Sequence, residues 1–470
     1  MSKNRIPTIS GPVEGGKEQI FGSPMEDLTK RGFIMEEYFL EGTAVSYAPT
    51  GGSELGLDGL WDVEPAEEAS YKTRAYVVRP ADPSKFNDVV LVNWQNVTIG
   101  ADFGMPDVEQ LERGYAWVGI TTQRVAHEGQ PSLTEDMPAT IGLCEWDPER
   151  YGSLHHPGDA FSYDIFSQGA RALRGGAAGG TDMLGGLSPR LLIATGGSQS
   201  AMRLGSYINI AHQKDRVIDG FLLTVHWGLC PPAPDMSLVE SFELTPEFKF
   251  RGSSQIRDDG GVPILVVNSE SETMMVSMVR QPDSDTYRFW EMAGTAHGGG
   301  ESAEAMTAVL VRDGISEGLP VVEGRNTIGW DYIARAGLER LVEWIDTKTP
   351  PTSIPPITLG EAGIAHDEVG NALGGVRMPD VVAALAVHAG MKSELSAAAL
   401  MGESIPLSVE RIRELYVDHA DYNKRWDGAV DNLAQLGLVL PEAVAAVKAR
   451  GRALYESALA SKAGDGQSRE

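Results

Sequence analysis

The stretch Leu191-Leu192-Ile193-Ala194-Thr195-Gly196-Gly197-Ser198-Gln199-Ser200-Ala201-Met202-Arg203-Leu204 reads as a buried strand, a sharp turn and the first turns of a helix, with a serine at the apex. Small residues at 196, 197, 200 and 201 let the backbone bend tightly enough to lift the Ser198 hydroxyl clear of a sheet, the arrangement of a nucleophile elbow. Ser200 stands where the G-x-S-x-G pattern has its last glycine; it is small enough to sit against the strand, so the pattern is relaxed rather than broken. A phosphate-cradling turn is the competing reading, but neither G-x-x-x-x-G-K-[ST] nor G-x-G-x-x-G is present at this turn.

Short continuous apolar runs flank this element on both sides. Val89 to Trp94, Ala116 to Thr121, Leu191 to Thr195, Phe221 to Val225, Val262 to Val267 and Tyr287 to Met292 suit strands buried on both faces. Phe33 to Tyr47 and Tyr71 to Arg79 alternate like antiparallel outer strands. Helical patterns over 162–173 and 201–212 fall between strands, which predicts an α/β fold with a mostly parallel, doubly wound sheet, flanking helices and right-handed crossovers. Residues 1–30 read as an N-terminal arm ordered by docking, and 31–350 as the core. Two insertions, at about 123–161 and 228–261, are long enough to be lids or binding loops. Residues 351–470 form a C-terminal segment, helical from about 406. There Leu415, Tyr422, Trp426, Val430, Leu433 and Leu436 share one apolar face that packs on the core.

Downstream of the elbow the chain supplies the other groups that a serine nucleophile needs, in the order serine, carboxylate, histidine. The run Val262 to Val267 leads into Asn268-Ser269-Glu270-Ser271-Glu272, which puts two carboxylates just past a strand end. The next strand leads into Ala293-Gly294-Thr295-Ala296-His297-Gly298-Gly299-Gly300. His297 is the candidate base, which takes the serine proton and returns it to the leaving group, while an acid holds its tautomer. Glu270 and Glu272 lie on the same side if strand geometry persists; hydrolase register favours Glu272 slightly, and both stay candidates. For the oxyanion, Gln199 supplies one backbone N–H by position, and the turn Trp94-Gln95-Asn96-Val97 is the candidate source of the second, with Asn96 acting through backbone or side chain. Trp94, Phe103, Trp146 and Trp227, near strand ends or in the long loops, are candidates to line an apolar substrate pocket.

Composition narrows the function classes. With 470 residues, 42% of them hydrophobic, the chain can bury a large core, and its net charge of -27 repels nucleic acid and anionic membrane surfaces. Cys144 and Cys230 allow at most one bridge, which fits a reducing compartment. With no apolar run of signal-peptide or membrane-spanning length, the expected location is the cytoplasm. Of nine histidines only His155 and His156 are neighbours, and no H-x-x-x-H or C-x-x-C occurs, so no metal is expected. Gly175-Gly176 and Gly374-Gly375 lack the strand-to-helix setting of a dinucleotide fingerprint, so no nicotinamide or flavin cofactor is expected either.

Several separated segments together resemble the large bacterial α/β-hydrolase domain-containing proteins of the esterase and lipase superfamily. They are Phe39 to Tyr47, Tyr71-Lys72-Thr73-Arg74, Asn93-Trp94-Gln95-Asn96-Val97-Thr98, Arg150-Tyr151 through Gly158 to Gln168, Gly197-Ser198-Gln199-Ser200, Ser269-Glu270-Ser271-Glu272, Gly294-Thr295-Ala296-His297 and Asp367 to Pro379. The resemblance covers about residues 30–440 and implies a serine hydrolase with Ser198, His297 and an acid from the 270–272 turn. One departure is that Glu272 stands where the family's acidic turn has aspartate, one methylene shorter. That difference either shifts the geometry or makes Glu270 the working acid. The expected reaction is hydrolysis of a small-molecule carboxylic ester or lactone through an acyl-enzyme. An acyltransferase with the same triad and a non-catalytic binding protein on a hydrolase scaffold are the alternatives. The oligomeric state, homo-oligomer included, stays open.

Overall fold

Strand β8 (Leu191–Gly197) is buried over Leu191 to Ala194 on both faces, which is why its sequence shows no alternation. Each of its leucine and isoleucine side chains removed from water contributes about 1.5–3 kcal/mol. The computed structural model describes residues 5–131, 139–175, 180–231, 246, 249–299, 302–315, 322–392 and 398–460. The chain forms two compact units. The first comprises Met1–Ile264, Met275–Thr286 and Glu304–Leu319; the second comprises Leu265–Met274, Tyr287–Ala303 and Pro320–Glu470.

In the first unit, β1 (Thr8–Ser10), β2 (Phe33–Pro49), β3 (Val63–Pro80), β4 (Val89–Trp94), β5 (Ala116–Ile120), β8 and β9 (Gly220–Thr224) lie in the order β1-β2-β3-β5-β4-β8-β9. The pairs β1–β2, β2–β3 and β3–β5 are antiparallel, whereas β5–β4, β4–β8 and β8–β9 are parallel, with Val92 opposite Ala194 and Thr195 opposite Leu222. The N-terminal arm thus enters the sheet as its edge strand. β3 begins eight residues before its apolar run, because Val63 to Ser70 forms a largely exposed ribbon with the end of β2, where burial leaves no pattern to read.

Helix Ser162–Ala172 precedes β8, and helix Gln199–Tyr207 follows it, starting two residues earlier than the apolar pattern indicates. Its continuation, Ile208–His212, is a π-helical turn rather than the end of a regular helix. The insertion at 123–161 is not structureless. Short helices Arg124–Glu128, Leu143–Trp146 and Pro148–Tyr151 and a small ladder of β6 (Gly129–Gln130) with β7 (Thr140–Ile141) occupy it, and Leu143, Trp146 and Tyr151 pack with Phe21 and Phe39 in a core of their own. Residues 132–138, and 232–245 with 247–248 of the other insertion, lie outside the described residues.

In the second unit, β10 (Ile264–Ser269, all but its first residue), β11 (Tyr287–Ala293) and β14 (Val376–Arg377) lie in that order, with β11 and β14 parallel. Two further ladders pair β12 (Leu359–Gly360) with β13 (Gly363–Ile364) and β15 (Ala386–Ala389) with β16 (Glu403–Pro406). Helix Asp331–Thr347 ends at Lys348 in the left-handed conformation, just before Pro350-Pro351. Helices Val409–Leu415, His419–Gln435 and Val444–Ala460 bury three residues of the expected stripe in one cluster, where Tyr422, Trp426 and Val430 meet Ile412, Val447 and Tyr455. Among the described residues no helix is long and apolar enough to cross a membrane.

Candidate active site

Ser198 sits at the junction of β8 and the helix that starts at Gln199, with φ 57° and ψ -121°. That conformation costs of order 1–3 kcal/mol for a non-glycine residue and persists only where the surroundings impose it. Two contacts impose it. The Ser198 backbone N–H donates to Thr224 O at the end of β9 at 3.0 Å, and its carbonyl accepts from Met202 N–H at 3.1 Å, starting the helix. Gly196 lets the helix close onto the strand, since a Cβ there would stand 2.9 Å from both Leu204 Cδ1 and Ser200 Cβ. Ser200 is buried in the glycine's place with its hydroxyl unpartnered. The next residue after Thr224, Val225, also has positive φ, 47°, a true outlier for a β-branched side chain, so backbone strain gathers at the carboxyl ends of β8 and β9.

The turn after β4 is fastened to the elbow. Asn96 Nδ2 donates to Gly197 O at 2.9 Å, its Oδ1 accepts from Thr98 N–H, and its backbone N–H donates to Phe103 O at 2.9 Å. The backbone of Asn96, expected as an oxyanion donor, is therefore already committed. The backbone N–H groups of Val97, in this turn, and of Gln199, just after Ser198, make no hydrogen bond among the described residues.

In the second unit the acid and base candidates are brought together by a turn of the chain just past β10. Strand geometry stops at Ser269 and a 3₁₀ turn, Glu270–Glu272, takes over, so the two carboxylates point to different places rather than one side. Ser269 and Glu272 form a capping box: the backbone N–H and hydroxyl of Ser269 both donate to Glu272 Oε2, each at 2.8 Å. The other oxygen, Oε1, lies 2.6 Å from His297 Nδ1. A carboxylate oxygen accepts, so in this contact Nδ1 is the donor. Glu270 accepts from Gly294 N–H at 2.6 Å and Gly390 N–H at 3.0 Å and makes no bond to His297; burial holds its carboxyl above the ordinary value, against the pull of those amides.

Residues without any local signal in the sequence hold the histidine loop. Ser271 Oγ accepts from His297 N–H at 2.9 Å and donates to Gly390 O at 2.5 Å. Trp330 Nε1 donates to Ala296 O at 3.0 Å, Asn326 Nδ2 to Gly294 O at 2.7 Å, and Gly298 N–H to Leu400 O at 2.9 Å. The His297 loop thus rests on Asn326 and Trp330 near the end of the core segment and on Gly390 and Leu400 of the C-terminal segment.

The aromatic candidates divide. Trp94 is wholly buried against Tyr163 and Phe166, and Trp146 packs edge-on to Phe21 with its Nε1 donating to Asp313 O at 2.8 Å. Neither leaves a face for a ligand, so both belong to the core. Phe103 is half-buried beside Asn96, and Trp227 is buried just past Val225. Among the described residues no group of three or more His, Cys, Asp or Glu is placed to hold a metal ion.

No curated protein matches the chain in sequence. Among solved structures it is similar to a lipase/esterase from Lactobacillus plantarum, at 8% identity and a TM-score of 0.31, over 59% of this chain and 95% of that one. It is also similar to an acetyl xylan esterase from Paenibacillus sp. R4, at 13% identity and TM-score 0.29, over 61% of this chain and 83% of that one. Oligopeptidase B from Trypanosoma brucei is similar at 11% identity and TM-score 0.29, over 62% of this chain, which spans only 38% of that longer protein. Residues 9–449 match one protein family, and with its mostly parallel sheet flanked by helices the chain belongs to it: the alpha/beta hydrolase domain family.

Proposed function

We propose that this chain is a serine hydrolase that cleaves a carboxylic ester or lactone through an acyl-enzyme. The observation that carries the reading is the imposed φ of 57° at Ser198, a strained conformation at a strand-to-helix apex. In this reading Ser198 Oγ attacks the acyl carbon while His297 Nε2 accepts its proton, and Glu272 stabilises the resulting imidazolium through Nδ1–H. The oxyanion takes the N–H groups of Gln199 and Val97. Collapse expels the alcohol with the proton from Nε2; water, deprotonated by the same nitrogen, then attacks the acyl-enzyme and releases the acid. Phe103 and Trp227, on the loops after β4 and β9, would flank the acyl or alcohol part.

A panel of acyl p-nitrophenyl esters and lactones tests this. Wild type should turn over at least one of them, with loss of turnover in Ser198→Ala and His297→Ala. Turnover unchanged in Ser198→Ala contradicts the reading.

A further inference from the structure

Gln123, three residues past β5, is buried at the carboxyl ends of the central strands of the first unit. Its Oε1 accepts two hydrogen bonds, from Trp94 Nε1 at 3.1 Å and from Gln199 Nε2 at 2.8 Å. Its Nε2 donates to Asp159 Oδ2 at 3.1 Å. Asp159 Oδ1 accepts from Arg124 N–H at 2.9 Å, and Arg203, one helical turn beyond Gln199, lies 3.7 Å from Oδ2. An indole N–H only donates and a carboxylate only accepts, so the Gln123 amide fits in one orientation, and that in turn fixes the Gln199 amide. The Gln199 Oε1 is left buried with no partner. Leaving a carbonyl unpaired costs free energy that an apolar cluster would avoid.

What it fixes is a distance. Trp94 closes β4 and opens the turn that carries Val97; Gln199 carries the amide that follows Ser198. One oxygen atom ties both together. We propose that Gln123, oriented by Asp159, is a positioning residue that sets the spacing of the two oxyanion-binding amides, those of Val97 and Gln199. The proposal rests on the serine-hydrolase reading above. A small error in such spacing is felt at the transition state more than in ground-state binding, because the amides must meet the oxyanion rather than the carbonyl.

The test uses the full chain, p-nitrophenyl acetate turnover, the rate of fluorophosphonate labelling and the thermal midpoint. Gln123→Met, similar in length but without hydrogen bonds, should lower kcat about 10- to 100-fold with KM within about twofold, and should slow labelling alike. Gln123→Glu sets a carboxylate against Asp159 and should be at least as impaired. Adding Asp159→Asn to Gln123→Glu reverses donor and acceptor across that contact and should bring kcat back to within about tenfold of wild type. The proposal is overturned if Gln123→Met, with an unchanged thermal midpoint, keeps the wild-type kcat and labelling rate, or if its loss lies in KM. Should Gln123→Met not fold, the exchange decides: a double variant as impaired as Gln123→Glu alone also overturns it. Wild type that neither turns over nor labels removes the serine-hydrolase reading itself, whereas wild type labelled at Ser198 with equally fast Gln123 variants removes only this inference.

Discussion

Glu272 and His297 are joined through Oε1 and Nδ1 at 2.6 Å, and the same glutamate caps the turn that carries it by accepting two bonds from Ser269. One oxygen, Oε2, turns back to the strand end and the other, Oε1, reaches the imidazole. In the proposed reading this glutamate is the acid that orients the base.

Glu272→Gln should therefore lower kcat by on the order of 10³–10⁴-fold, since an amide facing Nδ1 favours the wrong tautomer. Glu270→Gln should behave differently. Its amide would face a glycine N–H, donor against donor, costing about 1–3 kcal/mol of stability while the folded fraction keeps activity within about tenfold. Ester turnover alongside thermal unfolding of both variants separates the roles.

Gly390 is a second check on how the C-terminal segment supports the acid. A Cβ there would stand 2.6 Å from Ser271 N and 2.8 Å from Glu270 C, both backbone atoms that cannot swing aside. Gly390→Ala should displace the 270–272 turn, destabilising by about 1–3 kcal/mol and lowering kcat roughly tenfold or more.

The strained conformation at Ser198 predicts a stability gain where function is lost. Ser198→Gly should abolish turnover and raise stability by about 1 kcal/mol, the strain released exceeding the glycine's extra unfolded-state entropy. A lower thermal midpoint than wild type would mean that the bend is not strained.

Asp164 gives a pH dependence unrelated to catalysis. Buried in helix Ser162–Ala172, it accepts from Val45 N–H and Gln168 Nε2 at 2.8 Å each, and burial raises its carboxyl to about 6. The native state then holds a proton that the unfolded chain has already released, so stability declines as pH rises from about 4 to about 6 and stays lower above that. Asp164→Asn keeps an acceptor without the charge. It should be more stable than wild type at pH 8 by about 1–3 kcal/mol, and the gap should close at pH 4. Denaturant titrations at the two pH values measure it.

The bend at Ser198 and the histidine loop are legible in the sequence because each is a local pattern: small residues around a serine after an apolar run, and glycines around a histidine after another. Choosing between Glu270 and Glu272 is not, because two residues apart means the same side in a strand but different directions in the 3₁₀ turn that Ser269 starts. Aromatic candidates mislead for a related reason. Trp94 and Trp146 stand near strand ends in sequence, yet only packing against Phe166 or Phe21 decides that they are core. Gln123, Asp159, Asn326, Trp330 and Gly390 leave no local signature at all, since each acts on a residue that is distant in the chain.

The most direct test of Ser198 as the nucleophile is peptide mapping of the chain after reaction with a fluorophosphonate. A single phosphonyl adduct is expected, on the peptide that contains Ser198, absent in Ser198→Ala and formed far more slowly in His297→Ala. An unmodified wild type, or an adduct carried by another residue, would contradict it.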